Sequence, residues 1–361
     1  MIVHNIPLHR ALCDEAERPV LTSGELSATL FRYEAGVEAL CLRNARGALV
    51  ILPWMGGMIW SAAFDGVDLT MQSAFAAPRP ADRIAETYGC FAFHSGLLRN
   101  GVPGPEDDHA AHGEFPCAPM DRSWLELGQD ASGPFLRVVS AREYVMGFGS
   151  HYQASPSVTL RPGATIFDIG LTVENLSGKP MDLMYMCHLN FAFVPGARCV
   201  QPAPFTPERT VVRRAVPAHV RPTPVYLALI EDLAANPARM ERLDEPELYD
   251  PEQVFYLQGL GTDSAGDTHL MLQRPDGDGF AVSYAPAALP HTARWVLNDP
   301  DQQVAAFALP ATCQPEGYAA ERRKGHVRLL PPHGSADFNV RAGYLDPTAA
   351  VRMGELISLL Q

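Results

Sequence analysis

In the segment EDDHAAHGEF, His109, His112 and Glu114 give the spacing His-x-x-His-x-Glu. Two further histidines have motif-like surroundings: His94 in CFAFHSGLLRNG, before a Gly-rich turn, and His188 in LMYMCHLNFAF, inside an apolar run. An imidazole can give or take a proton near neutral pH. Together with a carboxylate it can also hold zinc, manganese or iron. A histidine in a buried strand has two ring nitrogens that are costly to leave unpaired, so His188 is either bonded within a core or aimed at a site.

These residues need a scaffold, and the sequence reads as strands. Short runs rich in β-branched and aromatic residues recur between turn signals: Leu26–Tyr33, Ala48–Pro53, Phe135–Val139, Thr165–Val173, Met181–Phe193, Phe280–Tyr284, His326–Leu330 and Ala336–Ala342. In TIFDIGLTVEN, Ile166, Ile169, Leu171 and Val173 come close to alternation, which predicts one inward face. The 32 prolines and 29 glycines keep interrupting helical periodicity. Helices are expected only over 222–247 and Ala349–Leu360. Residues 76–123 lack periodicity and are far longer than an ordinary connection, as functional loops often are. Many strands and few helices point to a β-sandwich.

Composition excludes several classes. The formal charge of −13 makes nucleic acid and anionic membrane surfaces poor partners. No run approaches the ~20 apolar residues of a membrane helix, and the first residues do not read as a secretion signal. The seven cysteines are singletons without a CxxC pair, which fits reduced thiols in a cytoplasmic protein. Neither a GxGxxG nor a P-loop is present.

The order of four segments resembles the aldose 1-epimerase (galactose mutarotase-like) superfamily. VENLSGKPMDLMYMCHLNFAF (173–193) is similar to the stretch in which an Asn-containing turn leads to a strand carrying His and then aromatics. HGEFPCAPMDRSWLEL (112–127) resembles the His-Gly motif followed by Trp, and HSGLLRNG a related motif of a less studied branch. VILPWMGGMIWSAAFDGVDL fits the opening strand, turn and strand. The similarity spans roughly residues 20–346.

The resemblance implies one large antiparallel β-sandwich, a supersandwich with few short helices, over residues 1–361. It also implies reversible ring opening of a monosaccharide by an acid and a base, with no cofactor and no set oligomeric state. By motif, His188 would be the acid and His112 would bind hydroxyls and steer charge, with His94 and Arg99 beside it. Asn190, Asp250, Arg294 and Trp295 would bind substrate, with Glu252 lining the same cleft. The family's base is a Glu on a late strand; in AAFALPATCQPEGYAAERRKG that place holds Leu309, which cannot take a proton. Glu316 is the first substitute and Glu321 the second, weakened by Arg322, Arg323 and Lys324.

Two other readings compete. The cleft could bind a carbohydrate without the base. Alternatively His94, His109, His112, Glu114 and His188 could form the ligand set of a cupin-type, metal-dependent sugar isomerase. The tight His-x-His pair of many cupins is missing, and the acidic residues before His109 read as a solvated turn, so no metal is expected.

Overall fold

The computed structural model describes residues 3–217 and 220–361. Its architecture is the expected β-sandwich: two antiparallel sheets of nine and thirteen strands. The smaller sheet runs Val3–Leu8, Arg122–Asp130, Gly133–Val145, His151–Leu160, Ile166–Asn175, Ser335–Leu345, Gly279–Tyr284, Thr268–Gln273, Arg198–Val200. The main path of the larger runs Thr210–Val212, Gln253–Leu257, His291–Asn298, Gln303–Ala311, Met181–Leu189, Ala92–Leu97, Met58–Phe64, Gly47–Leu52, Glu38–Asn44, Leu26–Arg32, Arg18–Ser23.

The core lies between the sheets. Period-two alternation turns Phe167, Ile169, Leu171 and Val173 of the small sheet inward, while Ile166 is only partly buried; Phe167, not Ile166, opens the apolar face. These side chains meet the large sheet: Phe167 stacks on Phe64 at 5.9 Å, and Tyr185 lies 4.7 Å from Phe338. Each such buried aromatic or aliphatic side chain stabilises the fold by about 1.5–3 kcal/mol.

The large sheet is also covered on its outer face. A second cluster there joins Val37, Leu52, Met58, Trp60, Ile84, Phe93 and Cys117, with Tyr88 packed against it. Much of that cover comes from residues 76–123, which include one element the sequence reading missed, the strand Ala92–Leu97. Gly96 and the polar His94 and Ser95 disguise it. Gly96 is required there: its φ is +133°, and a Cβ would collide with the Met184 carbonyl of the neighbouring strand. Helices fall at Pro224–Ala235 and Pro347–Ser358, as read, and also at Tyr318–Lys324, which was not foreseen. Of the His326–Leu330 run, only Arg328–Leu330 is a strand.

Candidate functional site

A cleft of about 710 Å³ opens on the outer face of the large sheet. Its floor is read across neighbouring strands. Val254 comes from Gln253–Leu257 and Glu252 from just before it; Ala293, Trp295 and Leu297 come from His291–Asn298, Leu309 from Gln303–Ala311, and Met186 and His188 from Met181–Leu189. Every second residue of a strand faces the same way, so one parity on each strand builds the floor. Residues 73–75, Tyr88, Ala111 and His112 add walls.

The two cleft histidines lie close together and perpendicular. Their ring centroids are 5.0 Å apart with an 89° interplanar angle. Phe93, the register partner of His188, stacks under it at 4.5 Å. Trp295 stands 5.8 Å from His188, and Tyr88 lies 6.4 Å from His112. The Tyr88 hydroxyl is 3.3 Å from Nε2 of His188. On the far side of each ring, His188 Nδ1 is 2.9 Å from Asn190 Oδ1, and His112 Nδ1 is 3.0 Å from Ser95 Oγ. Burial lowers both imidazoles. His112 falls to about 4, with the Glu252 charge pulling the other way; His188 falls well below the ordinary value, helped by His112. Burial raises the Tyr88 hydroxyl well above its ordinary value.

His112 reaches the cleft through a left-handed turn, with φ +66° at His112 and +79° at Gly113. A Cβ on Gly113 would collide with the Arg99 carbonyl, which gives the His-Gly pair a backbone reason.

The cleft carboxylate held closest to this group is Glu252. Trp295 Nε1 donates to its Oε2 at 2.7 Å and Arg213 to its Oε1 at 3.3 Å. Tyr226, on the Pro224–Ala235 helix, donates to the Glu252 carbonyl at 2.9 Å and ties that segment down. Asp250 also lines the cleft, as expected.

Other expected residues stand elsewhere. His94 is one residue out of phase: its register partner is Cys187, so it points into the sandwich, where Nδ1 meets the Tyr185 hydroxyl at 3.0 Å. Arg99 stacks on Tyr318 at 3.7 Å, outside the cleft. Arg294 shares a strand with Trp295 but has the opposite parity; it is fully buried, donating to the Phe307 carbonyl and Gln201 Oε1. Asn190 is buried behind His188. Glu316 sits behind Arg213, its carboxylate accepting from the Tyr256 hydroxyl and its backbone bridged to Gly101. Glu321 is fully buried, accepting from the Gln314 amide, bonded to Lys324 and 2.7 Å from His326 Nδ1. Leu309 does face the cleft.

The five-residue metal set does not converge. His94 is inside the sandwich, and Glu114 accepts from the Leu97 and Leu98 amides and the Tyr152 hydroxyl. His109 lines a separate cavity. Among the described residues, no three His, Cys, Asp or Glu side chains form a metal-sized group.

Tyr88 was missed by the sequence reading, and no motif marks it. The role of Asn190 did leave a signal: positions i and i+2 share a face, so an acceptor two residues from His188 is placed to bond it.

A family model described as "Domain of unknown function (DUF4432)" matches residues 34–343. No curated protein matches the sequence. In fold, the chain is similar to a candidate aldose 1-epimerase from Klebsiella pneumoniae, at 17% identity over 99% of this chain and 96% of that one, with a TM-score of 0.81. It is also similar to a galactose mutarotase-like protein from Clostridium acetobutylicum, at 12% identity over 90% and 100%, with a TM-score of 0.58. A candidate aldose 1-epimerase from Escherichia coli K12 matches at 14% identity over 83% and 96%, with a TM-score of 0.52. The fold is the galactose mutarotase-like one.

Proposed function

The chain belongs to the DUF4432 family, and we propose that it interconverts the anomers of a monosaccharide by acid–base ring opening in the cleft around His188. The observation that carries this reading is the pairing of a proton acceptor with a proton donor at one spot: His188 Nε2 with the Tyr88 hydroxyl 3.3 Å away. Ring opening needs both within hydrogen-bond reach of one sugar.

In this reading His188 starts neutral, because burial disfavours its charged form. It is therefore the base, in place of the acid that the motif implied. His188 Nε2 takes the proton of the anomeric hydroxyl, and the O1 lone pair forms the carbonyl. The C1–O5 bond breaks with its electron pair going to O5, which takes the Tyr88 proton. The C1–C2 bond rotates, and the reverse transfers close the ring on the other face. The Glu252 carboxylate is the anion set beside this pair, to favour the imidazolium formed in between. Its charge already favours the protonated form at His112 and keeps the Tyr88 proton on its oxygen until it is transferred. Trp295 and Phe93 offer apolar surface beside the histidines.

The rival reading, a sugar-binding protein without turnover, is favoured by Leu309 in the cleft. Mutarotation of an aldose panel, followed by polarimetry with wild type and Tyr88→Phe, separates the two. Our reading expects acceleration that falls about 10²-fold in Tyr88→Phe. Binding without acceleration supports the rival.

A further inference from the structure

We propose that Asn190 and the Asn100–Ser95 pair are positioning residues that hold both cleft histidines as Nδ1–H tautomers, so that two Nε2 lone pairs face one ligand and select a sugar that donates two hydroxyl protons. The last clause rests on the sugar reading; the tautomers do not.

The assignment follows from groups that can only donate or only accept. The Cys90 carbonyl accepts from Asn190 Nδ2 at 2.9 Å, which turns Asn190 Oδ1 toward His188. An amide oxygen cannot donate, so the proton of that 2.9 Å contact sits on His188 Nδ1. The second relay is one link longer. The Gly101 N–H donates to Asn100 Oδ1 at 2.7 Å, fixing that atom as an acceptor. Ser95 gives its single hydroxyl proton to the same oxygen, and its one other acceptor, the His112 carbonyl at 3.4 Å, also cannot donate. Ser95 Oγ is left to accept, so the proton of the 3.0 Å contact is on His112 Nδ1. A neutral imidazole protonated at Nδ1 carries its lone pair on Nε2. For His188 that nitrogen is the one facing Tyr88.

The two relays come from neighbouring, paired strands, Asn190 from just past the Met181–Leu189 strand and Ser95 from the Ala92–Leu97 strand. Ser95 and Met186 are register partners, so both belong to the cleft face. Asn190, Asn100 and Ser95 are fully buried, and none of them lines the cleft. The charged and titratable groups acting on the histidines are Tyr88 and Glu252, with His109 near His112, Arg213 on Glu252 and Cys90 behind Asn190. The groups bonded at the two Nδ1 atoms, Asn190 Oδ1 and Ser95 Oγ, are both neutral.

Nitrogen-15 NMR of histidine-labelled protein reads the tautomers without any turnover assay. At pH 7 both cleft imidazoles should carry their proton on Nδ1. Asn190→Leu should lose that preference at His188 alone, and Ser95→Ala at His112 alone. Asn190→Asp puts a carboxylate against Nδ1–H and should raise the His188 titration midpoint by about 1–3 pH units. If Asn190→Leu does not fold, Ser95→Ala gives the same reading on the other ring. A wild-type His188 or His112 protonated on Nε2 overturns the proposal, as does an Asn190→Asp titration that does not move. With the tautomers as stated, a 2-deoxy aldose should bind about tenfold more weakly than its parent, the loss of one hydrogen bond; equal binding overturns the two-donor clause. If the tautomers hold and no sugar binds, the relays stand and the sugar reading falls.

Discussion

At the residue scale, Glu252 and Glu316 hold different places. Glu252 is fixed in the cleft by Trp295 and Arg213, while Glu316 is held by Tyr256 outside the lining. Glu252→Gln is expected to lose about 10²-fold in kcat, because it removes the charge that stabilises a transient imidazolium. Glu316→Gln should stay within about threefold, the size expected of a residue that touches no reacting atom. Polarimetric rates on both variants, with folding checked by thermal melting, decide between them. The pH profile has a definite sign. A neutral base works above its folded-state titration point, and burial holds His188 well below the ordinary 6.5, as it does the neighbouring His112. The rate should hold from neutral pH down past the ordinary histidine range and fall only well below it. An acid limb near 6.5 would mean that the cleft imidazoles are not desolvated as described.

Parity decides the site at the scale of elements. His94 and His188 lie on neighbouring strands, yet the pairing of Phe93 with His188 turns His94 to the opposite face. Arg294 and Trp295 part in the same way. His94→Gln should therefore keep the mutarotation rate within about threefold while lowering the melting temperature, since it disturbs a buried contact with Tyr185. The strands, the terminal helix and the His112–His188 pair were legible in the sequence, because period-two runs and the His-Gly turn follow local rules. The rest depended on register. Nothing local says that Phe93 rather than His94 faces the site, or that Glu252 reaches the cleft while Glu316 is pinned behind Arg213. Tyr88 could not be read at all, since the Tyr88–His188 contact spans 100 residues of sequence.

The two sheets of the whole molecule share one apolar cluster that reaches from Leu8 to Tyr344. Unfolding should therefore be one cooperative transition, with tryptophan fluorescence and far-ultraviolet circular dichroism coinciding; two separated transitions would divide the chain into independent units. Stability should also fall with acid in a defined window. His94 and His112 are both lowered from 6.5 to about 4 by burial, and His188 is held well below 6.5 by the same cause. Between those values the unfolded chain binds protons that the folded chain refuses, so stability drops as pH falls from 6.5 toward 4. Each buried histidine contributes a slope of up to about 1.4 kcal/mol per pH unit. Urea unfolding at pH 7, 6 and 5 would show it, and a flat profile would mean that these rings protonate freely in the folded protein.

The measurement that bears most directly on the central claim is anomer exchange by NMR at pH 7, on a panel of aldoses, with wild type and His188→Asn side by side. His188→Asn keeps a polar side chain of similar size on the cleft floor but removes the Nε2 lone pair. Our account predicts that wild type exchanges the anomers of at least one aldose well above the buffer rate, and that His188→Asn, folded, loses about 10²–10⁴ of that acceleration. An unchanged rate in folded His188→Asn, or no acceleration of any aldose by wild type, would contradict it.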